Sequence, residues 1–276
     1  ARAKERGIPV FSYIPPSAWA WRKGRAKSCA ALADEIVAIF PHELPPYEAA
    51  GANISFVGNP LIDTVRAEME PEEACRHFGI EENDVPILLM PGSRCEEIER
   101  LLPPMLGAAE ILQTRDPARH FFLPVAGGVD EQRIEEHLAA SPVEVTLTHD
   151  ARYALMKAAR AAIAASGTVV MEAAVMGLPA VVLYRMSALS YFVGRLLVDV
   201  PRFSLPNILL GETFETELLQ GAVQPERIAA AMEPIIADGE ARSYVTERLA
   251  RAVEMLGEPH AARRVAEKII ALGRRV

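Results

Sequence analysis

Short, nearly unbroken apolar runs recur along the chain, separated by stretches whose apolar residues fall at helical spacing, and the breaks carry Gly, Pro, Ser or Asn. The chain opens on what reads as the tail of a helix stopped at Gly7, followed by a buried strand from Ile8 to Ile14. The first elements of this unit are therefore expected to precede Ala1. A helical stretch after Trp21 leads to a second apolar run, Glu35 to Phe40. Pro41 then opens a short helix that Gly51 closes, and Ile54 to Val57 is a third strand. From Asn59 to Gly79 the pattern pauses in a charged segment carrying Pro60 and Pro71, which places a domain junction there.

The alternation resumes with predicted strands at Pro86–Met90, His120–Val125, Val143–Leu147, Ala161–Ala165 and Pro179–Tyr184. Predicted helices lie between them at 94–114, 131–140, 151–159 and 168–176. From Gln224 onward the chain reads as helical, with one break at Gly257-Glu258-Pro259. Strand and helix in strict alternation predict an α/β protein of two doubly wound, Rossmann-like domains with parallel sheets. The expected division is 1–62 as the later part of a first domain, 63–80 as linker, 81–223 as a second domain and 224–276 as carboxyl-terminal helices.

Composition narrows the function classes. With 276 residues, 50% hydrophobic and 24% charged, the chain can bury a substantial core, so disordered and disulfide-scaffold readings drop out. The net charge of -8 argues against wholesale nucleic-acid binding. Cys29, Cys75 and Cys95 are widely spaced without a CxxC pair, and the six histidines show no i, i+4 pair. No metal site and a reducing, cytoplasmic setting are expected. The longest apolar stretches are cut by charges well before the ~20 residues a spanning helix needs.

Two strand-to-helix junctions could carry chemistry. In ILLMPGSRCEEIER an apolar strand empties into Pro91-Gly92-Ser93-Arg94 and directly into an acidic helix start. Gly92 would let backbone approach a ligand, the helix start would offer free N–H donors, and Arg94 would add a bidentate charge for phosphate. A tight turn with a capping Ser93 is the plainer alternative. In AASGTVVMEAAV a small-residue strand runs through Ser166-Gly167-Thr168 into a helix, with Glu172 one turn inside. A carboxylate there could grip the two ribose hydroxyls while the Gly-containing loop faces a diphosphate. The alternative is an N-capped core helix with one solvated Glu. Two such junctions in one domain favour a nucleotide-sugar site.

The strings IPPSAWAWRKGR, FVGNPLID, LLMPGSRCEEIERLLP, AASGTVVMEAAVMGLPAVVLYRM and SLPNILLG, in this order, resemble the lipid-A-disaccharide synthases, inverting glycosyltransferases of the GT-B fold. The resemblance runs over nearly the whole chain. It implies UDP-2,3-diacylglucosamine as donor, 2,3-diacylglucosamine 1-phosphate as acceptor, no metal or other cofactor, and a cleft between the two domains. Residue by residue it implies Gly92, Ser93 and Arg94 at the donor diphosphate, with Ser166, Gly167, Thr168 and Glu172 around the UDP. Asn207, in SLPNILLG, would lie near the donor. Where relatives often carry His, this chain has Asn59. The family's catalytic base belongs to a segment expected upstream of Ala1, so these residues alone are expected to bind UDP without turnover. Should the base lie within the chain, Asp63 and Glu43 are the candidates.

Trp19 and Trp21 with Arg22, Lys23, Arg25 and Lys27 form a cationic, aromatic stretch suited to an anionic membrane surface or a lipid-linked phosphate. A buried Trp beside a solvated basic helix explains it equally. The apolar segment 186–198 suits a monolayer, a core or a homodimer surface. Taken with the resemblance, which implies the location, these suit a cytoplasmic, peripheral enzyme on the inner face of the inner membrane. A UDP-N-acetylglucosamine 2-epimerase, or another GT-B transferase with a soluble acceptor, would share both junctions. A UDP-sugar-binding module without turnover would share them too.

Overall fold

The computed structural model describes residues 2–19, 24–187 and 201–274. Among the described residues the chain divides into two compact units, the first made of residues up to 64, Pro201 and 253 onward, the second of 65–187 and 202–252. The first unit contains helix α1 (Arg2–Glu5), strand β1 (Phe11–Tyr13), α2 (Gly24–Leu32), β2 (Glu35–Ala38), α3 (Leu44–Glu48), β3 (Ile54–Phe56) and α4 (Leu61–Thr64). Its three strands pair in parallel in the order β1-β2-β3.

β1 is shorter than the predicted Ile8–Ile14. Ile8 and Ile14 are each 52% exposed, and Ile14 has a positive φ of 58°, which takes the backbone out of the strand. β2 likewise ends before Phe40, because the N–H groups of Ile39 and Phe40 turn to the Glu43 carboxylate at 3.1 Å each. The helices predicted from Gln224 onward as one group divide between the units. Pro225–Ile236 and most of Glu240–Glu254 belong to the second, while Ala261–Gly273 belongs to the first.

That last helix is fastened by the FVGNPLID string. The Asp63 carboxylate accepts the N–H groups of His260 and Ala261 at 2.6 and 3.0 Å, capping the helix from a distant residue. Arg264 donates to the Val57 carbonyl, and the Asn59 side chain is buried between the Ile39 carbonyl and the Leu61 N–H. Asp63, Glu43 and Asn59 are thus occupied in holding backbone. Asp63 and Glu43, named as candidates should the base lie within the chain, each accept two backbone N–H groups of the first unit.

The second unit continues with α5 (Pro71–Phe78), β4 (Val85–Met90), α6 (Cys95–Arg115), β5 (Arg119–Pro124), α7 (Glu131–Ala139), β6 (Val145–Thr148), α8 (Arg152–Ala158), β7 (Ala161–Ala165), α9 (Thr168–Val175) and β8 (Ala180–Tyr184). A ninth strand, β9 (Glu217–Leu219), follows the helix Leu205–Leu210. All six strands are parallel, in the order β6-β5-β4-β7-β8-β9. β7 is buried along its whole length, which is why it reads as an uninterrupted apolar run rather than an alternating one. α6 covers the sheet with Ile98, Leu101, Leu102, Met105, Ala109 and Leu112, spaced for one helical face.

The strand order reverses between β4 and β7. From β4 the chain builds outward to β5 and β6, then returns to lay β7 against β4's other edge, pairing Met90 with Ala164. In open parallel sheets such a switch point leaves a crevice beyond the carboxyl ends of the strands, because the flanking helices diverge to opposite faces. Among the described residues no helix is long and apolar enough to cross a membrane.

Candidate functional site

The two junctions singled out in the sequence are neighbours at that crevice. The turn after β4 and the turn after β7 line one cavity of 590 Å³, within the second unit, together with Pro124–Gly127 after β5 and with His149 and Arg152 after β6. That volume falls among those of ordinary small-ligand sites. Gly92, Ser93, Arg94, Ser166, Gly167, Thr168 and Glu172 all line it.

The turn after β4 is built around a residue read from the sequence only as part of an acidic helix start. Glu97, one turn inside α6, folds back so that Oε2 accepts the N–H groups of Ser93 and Arg94 at 3.2 and 3.3 Å. Its Oε1 accepts from Arg94 Nη1 at 2.6 Å. The donors expected to be free are therefore held by an internal carboxylate. Gly92 is required here for two reasons. Its φ is +108°, and a Cβ would stand 2.4 Å from Glu97 Oε2. The Arg94 side chain is 80% exposed.

Ser166 offers the cavity less than its sequence position suggests. Its N–H continues the sheet to the Leu183 carbonyl, and its hydroxyl donates to the Phe203 carbonyl at 2.8 Å. Gly167 is extended and Thr168 opens α9. Both are exposed to the cavity. Glu172, with only 13% of its side chain exposed, faces Arg152 Nη2 at 3.5 Å. Burial holds its carboxyl above the usual range, and the Arg152 charge partly offsets this. Arg152 lies with its guanidinium 4.6 Å from the Tyr153 ring centre.

Asn207 is a correction. It is completely buried, does not line the cavity, and has its amide fully engaged. Nδ2 donates to the Glu215 carbonyl and to Glu217 Oε1, while Oδ1 accepts the N–H groups of Phe214 and Glu215. Glu217 in turn accepts from the N–H groups of Phe203 and Ser204, so β9 fixes the stretch that receives the Ser166 hydroxyl. Beside it, buried Glu215 accepts the Ser204 hydroxyl with Oε2. Burial is the main cause that pushes its carboxyl up to about 8, a neutral form suited to that surrounding.

Trp19 and Arg25 belong to the first unit and not to this cavity. Trp19 is half-buried, its ring edge-on to His42 at 4.7 Å, and Arg25 and Lys27 are exposed on α2. Trp21, Arg22 and Lys23, with 188–198 of the apolar 186–198 segment, lie outside the described residues. Glu97, Arg152, His149 and the 124–127 turn went unrecognised in the sequence as site residues. The signal that would have found them is positional, since every one lies at or just past the carboxyl end of a predicted strand.

The lipid-A-disaccharide synthetase family model matches residues 1–270. The chain is 44% identical over 271 residues to the lipid-A-disaccharide synthase of Syntrophus aciditrophicus, covering 98% of this chain and 71% of that protein. It is 40% identical over 270 residues to the synthase of Geobacter metallireducens, covering 98% and 70%. Among solved structures it is similar to the UDP-GlcNAc 2-epimerase of Neisseria meningitidis bound to UDP-GlcNAc. The TM-score is 0.68 at 16% identity, covering 98% of this chain and 71% of that one. At that identity the likeness carries the fold, an α/β architecture of GT-B type with parallel sheets.

Proposed function

The chain belongs to the lipid-A-disaccharide synthase family, and from that premise we propose that the switch-point cavity of its second unit seats the UDP of the sugar donor. The activity is that of a glycosyltransferase in lipid A biosynthesis, which joins UDP-2,3-diacylglucosamine to 2,3-diacylglucosamine 1-phosphate and releases UDP. The epimerase alternative rests on fold likeness alone, against 38–44% identity to synthases.

One observation carries the donor site: two Gly-containing turns, from strands that are neighbours only through the sheet's reversal, open into the same cavity. An inverting transfer leaves negative charge on the departing diphosphate. An exposed guanidinium at a helix start stabilises that charge as it develops, and lowers the barrier to the extent that it binds the leaving group more tightly than the intact donor. Glu172 and the half-shielded wall around it suit the ribose, because an ionised carboxylate can accept from both hydroxyls.

Glu172→Gln separates the two ends of the ligand. UDP affinity is expected to fall about tenfold, the scale of one charge-assisted hydrogen bond, while binding of inorganic pyrophosphate stays unchanged. Equal calorimetric losses for both ligands would show that Glu172 acts on the fold.

The substrates are lipids, and attachment of the enzyme to an anionic bilayer through the Trp19–Lys27 stretch is supported by the exposed Arg25 and Lys27. Co-sedimentation with vesicles containing anionic lipid should fall as salt rises, since screened charge supplies part of the attraction. Equal retention on neutral vesicles would assign the stretch a purely structural role.

A further inference from the structure

We infer that Glu97 is an internal counter-anion which the donor's diphosphate must displace, and that it thereby determines which anions the cavity accepts. The inference rests on the donor site proposed above and adds a specificity-determining residue to it. Three donors from the turn after β4 converge on this one carboxylate: the N–H groups of Ser93 and Arg94 and the Arg94 guanidinium. Carboxylate and donors line the same cavity. The fold makes room for the carboxylate at this turn because Gly92 has no Cβ, which would collide with Glu97 Oε2.

Occupancy is exclusive at the backbone. Each N–H makes one good hydrogen bond, so Ser93 and Arg94 cannot serve both Glu97 and a phosphate oxygen. The guanidinium, with five N–H donors, can be shared, yet a diphosphate seated on it beside an undisplaced carboxylate would meet like charge. Binding is therefore an exchange. A singly charged anion replaces one carboxylate by another of equal worth and gains little. A diphosphate brings several charged oxygens to the same donors and prevails. Glu97 thus raises the threshold against the small monovalent anions of the surrounding solution, at a cost in diphosphate affinity. Ligand groups that bind elsewhere in the cavity, such as the uridine, bear none of that cost.

Glu97→Gln keeps the shape and removes the charge. Calorimetric titration of the protein and the variant with pyrophosphate, UDP and uridine, at fixed ionic strength, reads the effect. Pyrophosphate and UDP are expected to bind about tenfold more tightly to the variant, with uridine unchanged. Acetate should compete with UDP in the variant at concentrations that leave the parent untouched. A purely structural cap would yield the opposite sign, so weaker or unchanged pyrophosphate and UDP binding overturns the inference while the donor site stands. Failure of parent and variant alike to bind UDP or pyrophosphate would overturn the donor site, and with it this inference. Glu97→Asp, whose shorter carboxylate cannot reach all three donors, provides the same comparison if the glutamine variant does not fold. It should also gain affinity, and a loss there counts against the exchange.

Discussion

Arg94→Ala is expected to weaken UDP binding by more than tenfold without altering the melting temperature. Among the described residues Arg94 pairs with Glu97, three residues on, and its side chain is 80% exposed. Exposed pairs of this kind contribute ~0–1 kcal/mol to stability, so the fold should not register the loss. The ligand should. A charge-assisted hydrogen bond to phosphate is worth about 1.5–3 kcal/mol, and removal of the guanidinium also leaves Glu97 beside the diphosphate without its counter-charge. Arg94→Lys should recover part of the affinity, because the charge returns without the planar fork. Affinity for UDP unchanged in Arg94→Ala, with the fold intact, would remove the turn after β4 from the donor site.

Asn207→Ala should produce the largest loss of stability. Its fully buried amide satisfies the Phe214 and Glu215 N–H groups, the Glu215 carbonyl and Glu217 Oε1. Alanine leaves several of these in a place water does not reach. At about 1–3 kcal/mol for each stranded polar group, a total near 3–5 kcal/mol is expected, read as a lower urea midpoint for the second unit. A residue that instead touched the donor directly would lose UDP affinity with its stability intact. That pattern, with a midpoint shift worth under ~1 kcal/mol, would contradict the structural role assigned here.

The parts of the site that were legible in the sequence share a local cause. The runs ending in Pro91–Arg94 and Ser166–Thr168 are buried on both sheet faces, so each appears as an apolar block followed at once by turn residues and a helix. Their adjacency was not legible, because the pairing of Met90 with Ala164 joins residues far apart in the chain. Glu97 was seen as an acidic helix start, a dipole complement, whereas it sits three residues past the N-cap Arg94 and accepts back from that residue's N–H as a capping box, reaching the Ser93 N–H as well. Asn207 was misread for the same reason in reverse. Its four partners lie in or just before β9, a three-residue strand with a charged first residue that carries no strand pattern of its own. At the amino end, apolar Ile8 and Ile14 suggested a longer β1, whereas exposure and a positive φ at Ile14 shorten it.

The most direct test of the donor site is a crystal structure of this protein with UDP. The expected result is diphosphate density at the mouth of α6, within hydrogen-bond distance of Arg94, with the Glu97 carboxylate moved off the Ser93 and Arg94 N–H groups and the ribose against Glu172. Density for UDP anywhere other than the cavity between the turns after β4 and β7, with Glu97 still seated on its three donors, would contradict it.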